Sequence, residues 1–116
     1  MTNILIFHEN NHMRYSFEHQ ISTLLAGKTI NNISNINSLL DAIAENTELI
    51  LLNYSGKDIQ EKLILEIKSI NSKIAIILST CFSEYEIPPY IKNQVAAILY
   101  CPCDLSYIDT IKDHLD

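Results

Sequence analysis

Short apolar runs alternate with amphipathic segments along the chain. Continuous apolar runs, typical of strands that are buried on both faces, lie at 4–7, 49–52, 74–78 and 95–100. A weaker strand is expected in the Asn-rich segment 29–36. The residues between these runs carry apolar positions at helical spacing, which predicts helices over 13–25, 38–43, 59–70 and 105–115.

Polar and glycine residues predict where the first two helices begin and end. Gly27 is a suitable end for the first helix, and the inward stripe of that helix is expected to include Leu24. Arg14 falls outside this stripe. Ser38 is a suitable N-cap for the second helix, because a serine hydroxyl accepts hydrogen bonds from unpaired backbone N–H groups.

The second half of the chain has similar signals. The segment 54–56 is expected to turn the chain after the strand at 49–52. Pro88 and Pro89 limit any helix before the last strand to a short piece. Asp104 is a candidate cap for the last helix, in which Leu105 is expected to point inward.

The order of elements predicts an α/β fold. Buried strands that alternate with amphipathic helices indicate a mostly parallel sheet covered on both faces, here with five strands in a doubly wound arrangement. We expect a single domain over residues 1–116, which is either a stand-alone protein or one domain of a longer one. In such folds, ligands bind beyond the carboxyl ends of the strands.

Charge and composition narrow the functional classes. Eight basic residues face fourteen acidic ones, for a net charge of −6, so we expect no direct binding to nucleic acid. No apolar run approaches the roughly 20 residues that span a bilayer, and the N-terminus has no signal-peptide pattern. Three cysteines without an export signal indicate reduced thiols and a cytoplasmic location.

The residues directly after the apolar runs are the candidate site residues. They follow four different strands of the expected sheet, so they would meet at one edge: His8, Glu9, Asn53, Ser79 and Cys101. From the residues alone, Glu9 is expected to pair with a backbone donor or with a cation such as Arg14. The cysteines are expected to be buried, inert thiols.

These positions resemble the receiver family of bacterial response regulators, which serve two-component and phosphorelay signal transduction. The apolar strand followed by His8 and Glu9 is similar to the family's first strand and acidic pair. Asn53 falls where the phosphoacceptor Asp belongs, Ser79 where a Ser or Thr belongs, and Cys101 before a Pro where a Lys belongs. The resemblance implies the flavodoxin-like (βα)5 fold, a doubly wound sandwich with strand order 2-1-3-4-5.

The departures from the family pattern predict a degenerate, pseudo-receiver type of domain. Asn53 is a neutral amide and lacks the nucleophilic carboxylate that accepts a phosphoryl group. His8 replaces one acid of the pair, and Cys101 cannot supply the cation of the missing lysine. Because Mg²⁺ prefers several hard oxygen ligands, we expect no bound Mg²⁺ and no other cofactor. We also expect no enzymatic activity and no metal site.

The leading hypothesis is therefore an atypical receiver-like signalling domain that works by protein–protein contact, without aspartyl phosphorylation. Its partner would be a signalling protein or a second copy of the chain, bound on the surface that the resemblance assigns to docking: Tyr85, Tyr90, Ile98 and Tyr107. One alternative is a functional but atypical phosphorelay receiver. Another is a thiol- or metal-based sensor that uses Cys81, Cys101, Cys103 and His8.

Overall fold

The computed structural model describes residues 3–25, 27–101 and 105–115. The strands are β1 (Asn3–Phe7), β2 (Thr29–Ile33), β3 (Thr47–Tyr54), β4 (Ala75–Thr80) and β5 (Ala97–Tyr100). The helices are α1 (Asn11–Leu24), α2 (Ile36–Ala42), α3 (Asp58–Ile70), α4 (Pro89–Lys92) and α5 (Tyr107–Asp113), with a 3₁₀ helix at Glu84–Glu86. The strands form one parallel sheet in the order β2-β1-β3-β4-β5, which confirms the flavodoxin-like topology.

The two faces of the sheet carry separate hydrophobic layers. Alternate strand residues point to opposite faces, so neighbours such as Ile50 and Leu51 belong to different layers. One layer joins the sheet to α2, α3 and α4, and the other joins it to α1 and α5. Every residue of β1 is buried, as expected for a strand that is covered on both faces. No helix in the described part of the chain is long and apolar enough to span a membrane.

Two strands run further than the apolar pattern indicates. β3 continues through Tyr54, where a turn was predicted, and β4 continues through Thr80. Asn53 and Ser79 consequently lie inside the sheet as a register pair, not in loops beyond it. The sheet ladder pairs their backbone groups, and the side-chain oxygen of Asn53 accepts a hydrogen bond from the Glu9 backbone N–H. The apolar pattern alone does not reveal these contacts.

Several helix ends differ from the sequence-based prediction. α2 is capped by Asn35, whose side chain accepts a hydrogen bond from the backbone N–H of Ser38 at 2.8 Å, so Ser38 is not the cap. Leu24 and Leu105 are exposed rather than inward, because both stand at the margins of their helices. The predicted cap at Asp104 lies outside the described residues. The short α4 confirms the limit that Pro88 and Pro89 were expected to set.

Arg14 is buried, although it lies off the apolar stripe of α1. Only 5% of its surface is exposed. Its guanidinium donates to the backbone oxygen of His8 at 2.9 Å, to Asn11 Oδ1 at 2.7 Å and to Asn32 Oδ1. Arg14 therefore fixes α1 against the exits of β1 and β2, using neutral oxygens as acceptors.

Candidate functional site

The candidate site is a pocket at the carboxyl edge of the sheet, here called the edge pocket. Its volume is about 240 Å³. All five candidate positions line it, together with neighbours from the same strand ends: His8, Glu9, Asn10, Asn53, Tyr54, Ser55, Ser79, Thr80, Cys81, Phe82 and Cys101. The structure thus brings together the residues that the sequence placed after separate strands, because parallel strands end at the same side.

Asn53 lines this pocket from β3. It is 6% exposed and stands opposite Ser79 in the β3–β4 register. Its side-chain oxygen accepts a hydrogen bond from the backbone N–H of Glu9 at 3.1 Å. The amide therefore ties the exit of β1 to β3, and its oxygen already has a donor from the protein.

Glu9 pairs with Lys57 and not with Arg14. The Lys57 ammonium lies 3.0 Å from Oε1 and 3.1 Å from Oε2 of Glu9. Gln60 Nε2 donates to the same carboxylate at 3.3 Å. A cation was expected here, and it is Lys57 and not Arg14 because the guanidinium of Arg14 is held by backbone and amide oxygens.

Gln60 organises the approach to the pocket, although nothing singled it out in the sequence. It is 1% exposed, and its Oε1 accepts from the backbone N–H of Ser55 at 2.8 Å and of Lys57 at 3.3 Å. Its Nε2 donates to Glu9 and to Ser55 Oγ. Gln60 stands three residues after the N-cap of α3, the Gln position of a capping box, but Lys57 replaces the Ser or Thr that marks this motif in a sequence.

His8 is held in its neutral form. Its Nδ1 accepts a hydrogen bond from the backbone N–H of Asn10 at 3.0 Å, which a protonated imidazole cannot do. Burial lowers the pKa of His8 below 6.5, with Glu9 opposing this shift and Arg14 adding to it. The ring packs near Phe17, at 6.2 Å between centroids.

The residues present do not fit a magnesium ion. Glu9 is the one carboxylate among the described residues that line the pocket, and Lys57 already neutralises it. The oxygen of Asn53 is used by a backbone N–H, and His8 offers a nitrogen. Mg²⁺ requires near-octahedral oxygen ligands and is usually held by carboxylates, so this donor set is too poor.

Thr80 and Tyr54 join the edge pocket to the next loop. Thr80 Oγ1 donates to the backbone oxygen of Tyr54 at 2.9 Å and accepts from the backbone N–H of Phe82 at 3.1 Å. The rings of Tyr54 and Phe82 meet edge to face at 5.8 Å. These contacts fix the loop that follows β4 and with it the wall of the pocket.

The four expected docking residues divide into two groups. Tyr85 is 91% exposed and Tyr90 is 57% exposed, so both are available on the surface. Tyr107 is buried, packs edge-on against Phe17 at 5.3 Å and bonds to Gln20, which corrects its assignment to a docking surface. Ile98 is half-buried against the core.

Glu61 connects Tyr90 to the interior of the domain. Its carboxylate accepts hydrogen bonds from the Tyr54 hydroxyl at 3.0 Å and from the Tyr90 hydroxyl. Burial, followed by the bond to Glu61 and its charge, raises the pKa of Tyr54 to about 12. The bond to Glu61 is also the main cause that raises the pKa of Tyr90. Glu61 thereby fastens α4 to α3 and β3.

The cysteines differ in their surroundings. Cys81 is exposed and Cys101 is half-buried, so the expectation of buried thiols is wrong for Cys81. Cys103 lies outside the described residues. Within the described ranges, no three or more His, Cys, Asp or Glu side chains are grouped closely enough to hold a metal ion.

Comparison with known proteins identifies the fold through solved structures. No family model and no curated protein matches the sequence. Response regulator TrrA from Thermotoga maritima, solved in complex with Mg²⁺-BeF, has a TM-score of 0.82 at 19% identity, covering 99% of this chain and 100% of its own. A CheY-like receiver domain from Methanospirillum hungatei has a TM-score of 0.82 at 16% identity, covering 97% and 92%. Chemotaxis protein CheY4 from Vibrio cholerae has a TM-score of 0.78 at 15% identity, covering 99% of each chain.

These neighbours are response regulator receiver domains, so the chain has the receiver fold that signalling proteins of this type use. The resemblance inferred from the sequence is confirmed at the level of fold. At identities this low, the likeness leaves the chemistry of the pocket to be argued from its own residues.

Proposed function

We propose that this domain is a receiver-like signalling domain that acts through contact with a partner protein and does not depend on aspartyl phosphorylation. The observation that supports it most directly is the state of the edge pocket. The Asn53 amide stands where the resemblance places the family's acceptor Asp, and its oxygen accepts a hydrogen bond from the Glu9 backbone N–H. The Glu9 carboxylate is neutralised by Lys57.

The chemistry of the pocket argues against phosphoryl transfer. An amide nitrogen donates its lone pair to resonance, so Asn53 has no nucleophile comparable with a carboxylate. The neutral His8 ring adds no charge that could hold a phosphate. The proposal therefore includes no cofactor, no Mg²⁺ and no enzymatic activity.

The exposed aromatic side chains indicate where a partner would bind. Tyr85 stands on the 3₁₀ helix between Glu84 and Glu86, and Tyr90 stands on α4. Large aromatic side chains are enriched at protein interfaces because they bury much area at low entropic cost. A net charge of −6 disfavours nucleic acid as the partner, and we propose that the protein works in the cytoplasm.

The test is an amide NMR spectrum with and without Mg²⁺ plus beryllofluoride, a mimic of the phosphorylated carboxylate. We expect no shifts at Glu9, Asn53 or Ser79 in the wild-type domain. TrrA, which was solved with this ligand, is the positive control. Saturable, Mg²⁺-dependent shifts at these residues would overturn the proposal and support an atypical phosphorelay receiver.

A set of variants shows whether the three replaced residues are responsible. The triple variant His8→Asp, Asn53→Asp, Cys101→Lys restores the residue types of the family pattern, and we expect it to respond to beryllofluoride. The single variant Cys101→Lys adds the cation without the carboxylates and should show no chemical-shift changes with beryllofluoride. A response of this single variant would contradict the role assigned to Asn53.

A further inference from the structure

Cys81 and Cys101 stand side by side at the ends of neighbouring strands. Thr80 and Tyr100 are the last register pair of the β4–β5 ladder, and Cys81 and Cys101 are the first residues after these two strands. The backbone N–H of Cys101 donates to the Thr80 oxygen at 2.7 Å, so the strands are still hydrogen-bonded where the cysteines begin. Paired strands lie about 4.8 Å apart, within the Cα separation of roughly 4.4–6.8 Å that disulfides bridge.

The two cysteines also share two cavities. Besides the edge pocket, both line a second cavity of about 460 Å³, here called the outer pocket, with Phe82, Ser83, Glu84, Glu86 and Tyr100. Among the described residues, only Cys81, Phe82 and Cys101 line both cavities. Both residues therefore lie at the boundary of two solvent-accessible spaces, where a small oxidant can reach them.

We infer that Cys81 and Cys101 are a redox pair that a peroxide converts into an intramolecular disulfide. The Cys81 thiol, on the exposed residue, loses its proton, and its sulfur attacks one oxygen of hydrogen peroxide. The O–O bond breaks, a sulfenic acid forms on Cys81, and the leaving hydroxide takes up the released proton to give the first water. The Cys101 sulfur then attacks the Cys81 sulfur, the S–O bond breaks, and a second water forms with the thiol proton. In total, two thiols and one hydrogen peroxide give one disulfide and two waters.

The charge of the outer pocket favours a neutral oxidant. Glu84 and Glu86 line this cavity, and no Lys or Arg does so among the described residues. Glutathione disulfide is an anion at neutral pH and is repelled by these carboxylates, whereas hydrogen peroxide carries no charge. We therefore expect Cys81 and Cys101 to react faster with hydrogen peroxide than with glutathione disulfide.

A Cys81–Cys101 disulfide would connect the segment between β4 and the 3₁₀ helix to the end of β5. The residues after Cys81 lead to the 3₁₀ helix with Tyr85, and the chain after Cys101 leads towards α5. A disulfide would fix these exits to each other and so alter how Tyr85 is presented. The effect on a partner rests on the proposed function, while the formation of the bond does not.

Treatment of the intact domain with hydrogen peroxide tests the inference. The tryptic peptides of residues 74–92 and 93–112 contain Cys81 and the pair Cys101 and Cys103, respectively. Blocking remaining thiols, then digesting without reductant, should give these two peptides joined, with the loss of two hydrogen atoms. The Cys103→Ser variant should give the same product and lose both of its thiols.

Substituting one cysteine at a time distinguishes this pair from its competitors. Cys101→Ser keeps Cys81 and Cys103, and it should give no joined peptides 74–92 and 93–112 within one chain, whereas the fold remains as judged by circular dichroism. A bond confined to peptide 93–112, a bond that Cys103→Ser abolishes, or a product joining two chains would each overturn the inference. Glutathione disulfide should react at least several-fold more slowly than peroxide, and an equal rate would remove the role assigned to Glu84 and Glu86.

Discussion

The Lys57 ammonium bridges both carboxylate oxygens of Glu9, at 3.0 and 3.1 Å, across 48 positions of sequence. The pair joins the loop after β3 to the exit of β1, and Gln60 supports it from the first turn of α3. Both side chains remain partly in solvent, 57% for Lys57 and 41% for Glu9. Their main effect is consequently on the charge of the edge pocket and less on stability.

Replacing Lys57 by methionine should leave the Glu9 carboxylate without its cation. We expect the affinity for divalent cations to rise, because the pocket then carries an uncompensated negative charge. The free energy of unfolding should fall by only about 0–1 kcal/mol, as is usual for exposed ion pairs. Paramagnetic broadening by Mn²⁺ at Glu9 measures the first effect and urea denaturation the second. Lys62→Met, an exposed lysine of the same helix, is the control, and equal broadening in both variants would contradict the assignment.

Replacing Gln60 by leucine should destabilise the domain much more. The variant leaves the backbone N–H groups of Ser55 and Lys57 without the acceptor they use. Unmade hydrogen bonds at a buried site cost about 1–3 kcal/mol, which chemical denaturation would detect as a lower midpoint with an unchanged slope. Gln94→Leu changes a half-buried glutamine just after α4 and is the matched control. If Gln60→Leu lowers the free energy of unfolding no more than this control does, the hydrogen bonds of Gln60 contribute little to stability.

The lowered pKa of His8 predicts a pH-dependent stability. The unfolded chain binds a proton near pH 6.5, whereas the folded domain binds it only at lower pH. Stability is therefore complete above about pH 6.5 and falls as the pH decreases through the folded pKa. The slope of the unfolding free energy against pH counts the protons taken up on unfolding, and His8→Gln should lower this count by up to one. His19→Gln, on the exposed side of α1, serves as comparison; a slope unchanged by His8→Gln would refute the prediction.

Gly56 and Gly27 allow a paired test of the pocket wall. Both have positive φ, 81° and 86°, so an alanine at either position costs about 1–2 kcal/mol of backbone strain. A Cβ on Gly27 would meet nothing within 4 Å, but on Gly56 it would lie 3.0 and 3.1 Å from ring atoms of Phe82. Gly56→Ala should therefore lose roughly 1 kcal/mol more than Gly27→Ala and shift the Phe82 ring resonances. Equal losses in the two variants would mean that the ring moves aside without cost.

The fold could be predicted from the sequence because its strands are nearly continuous apolar runs. The site residues His8, Asn53 and Ser79 could be placed together for a related reason: parallel strands end at one edge. The apolar pattern predicts the buried part of a strand, but not whether buried polar residues extend the strand further. For this reason β3 and β4 were predicted too short.

The contacts of long polar side chains were beyond the sequence. Arg14 and Gln60 look solvent-exposed by composition, yet both are buried because several oxygens or N–H groups converge on each. Lys57 reaches Glu9 from a loop whose path no periodicity determines. Tyr107 was placed on the surface by resemblance, whereas its ring fills a space beside Phe17 in the core.

The link between Lys57 and Glu9 through the chain has a further consequence for the pocket. A tethered ammonium faces its carboxylate at an effective concentration that is set by the loop, of the order of millimolar, and does not change on dilution. A dissolved cation binds by mass action and leaves when its supply falls. The charge that neutralises Glu9 in the edge pocket is therefore supplied by the fold and not by a dissolved cation.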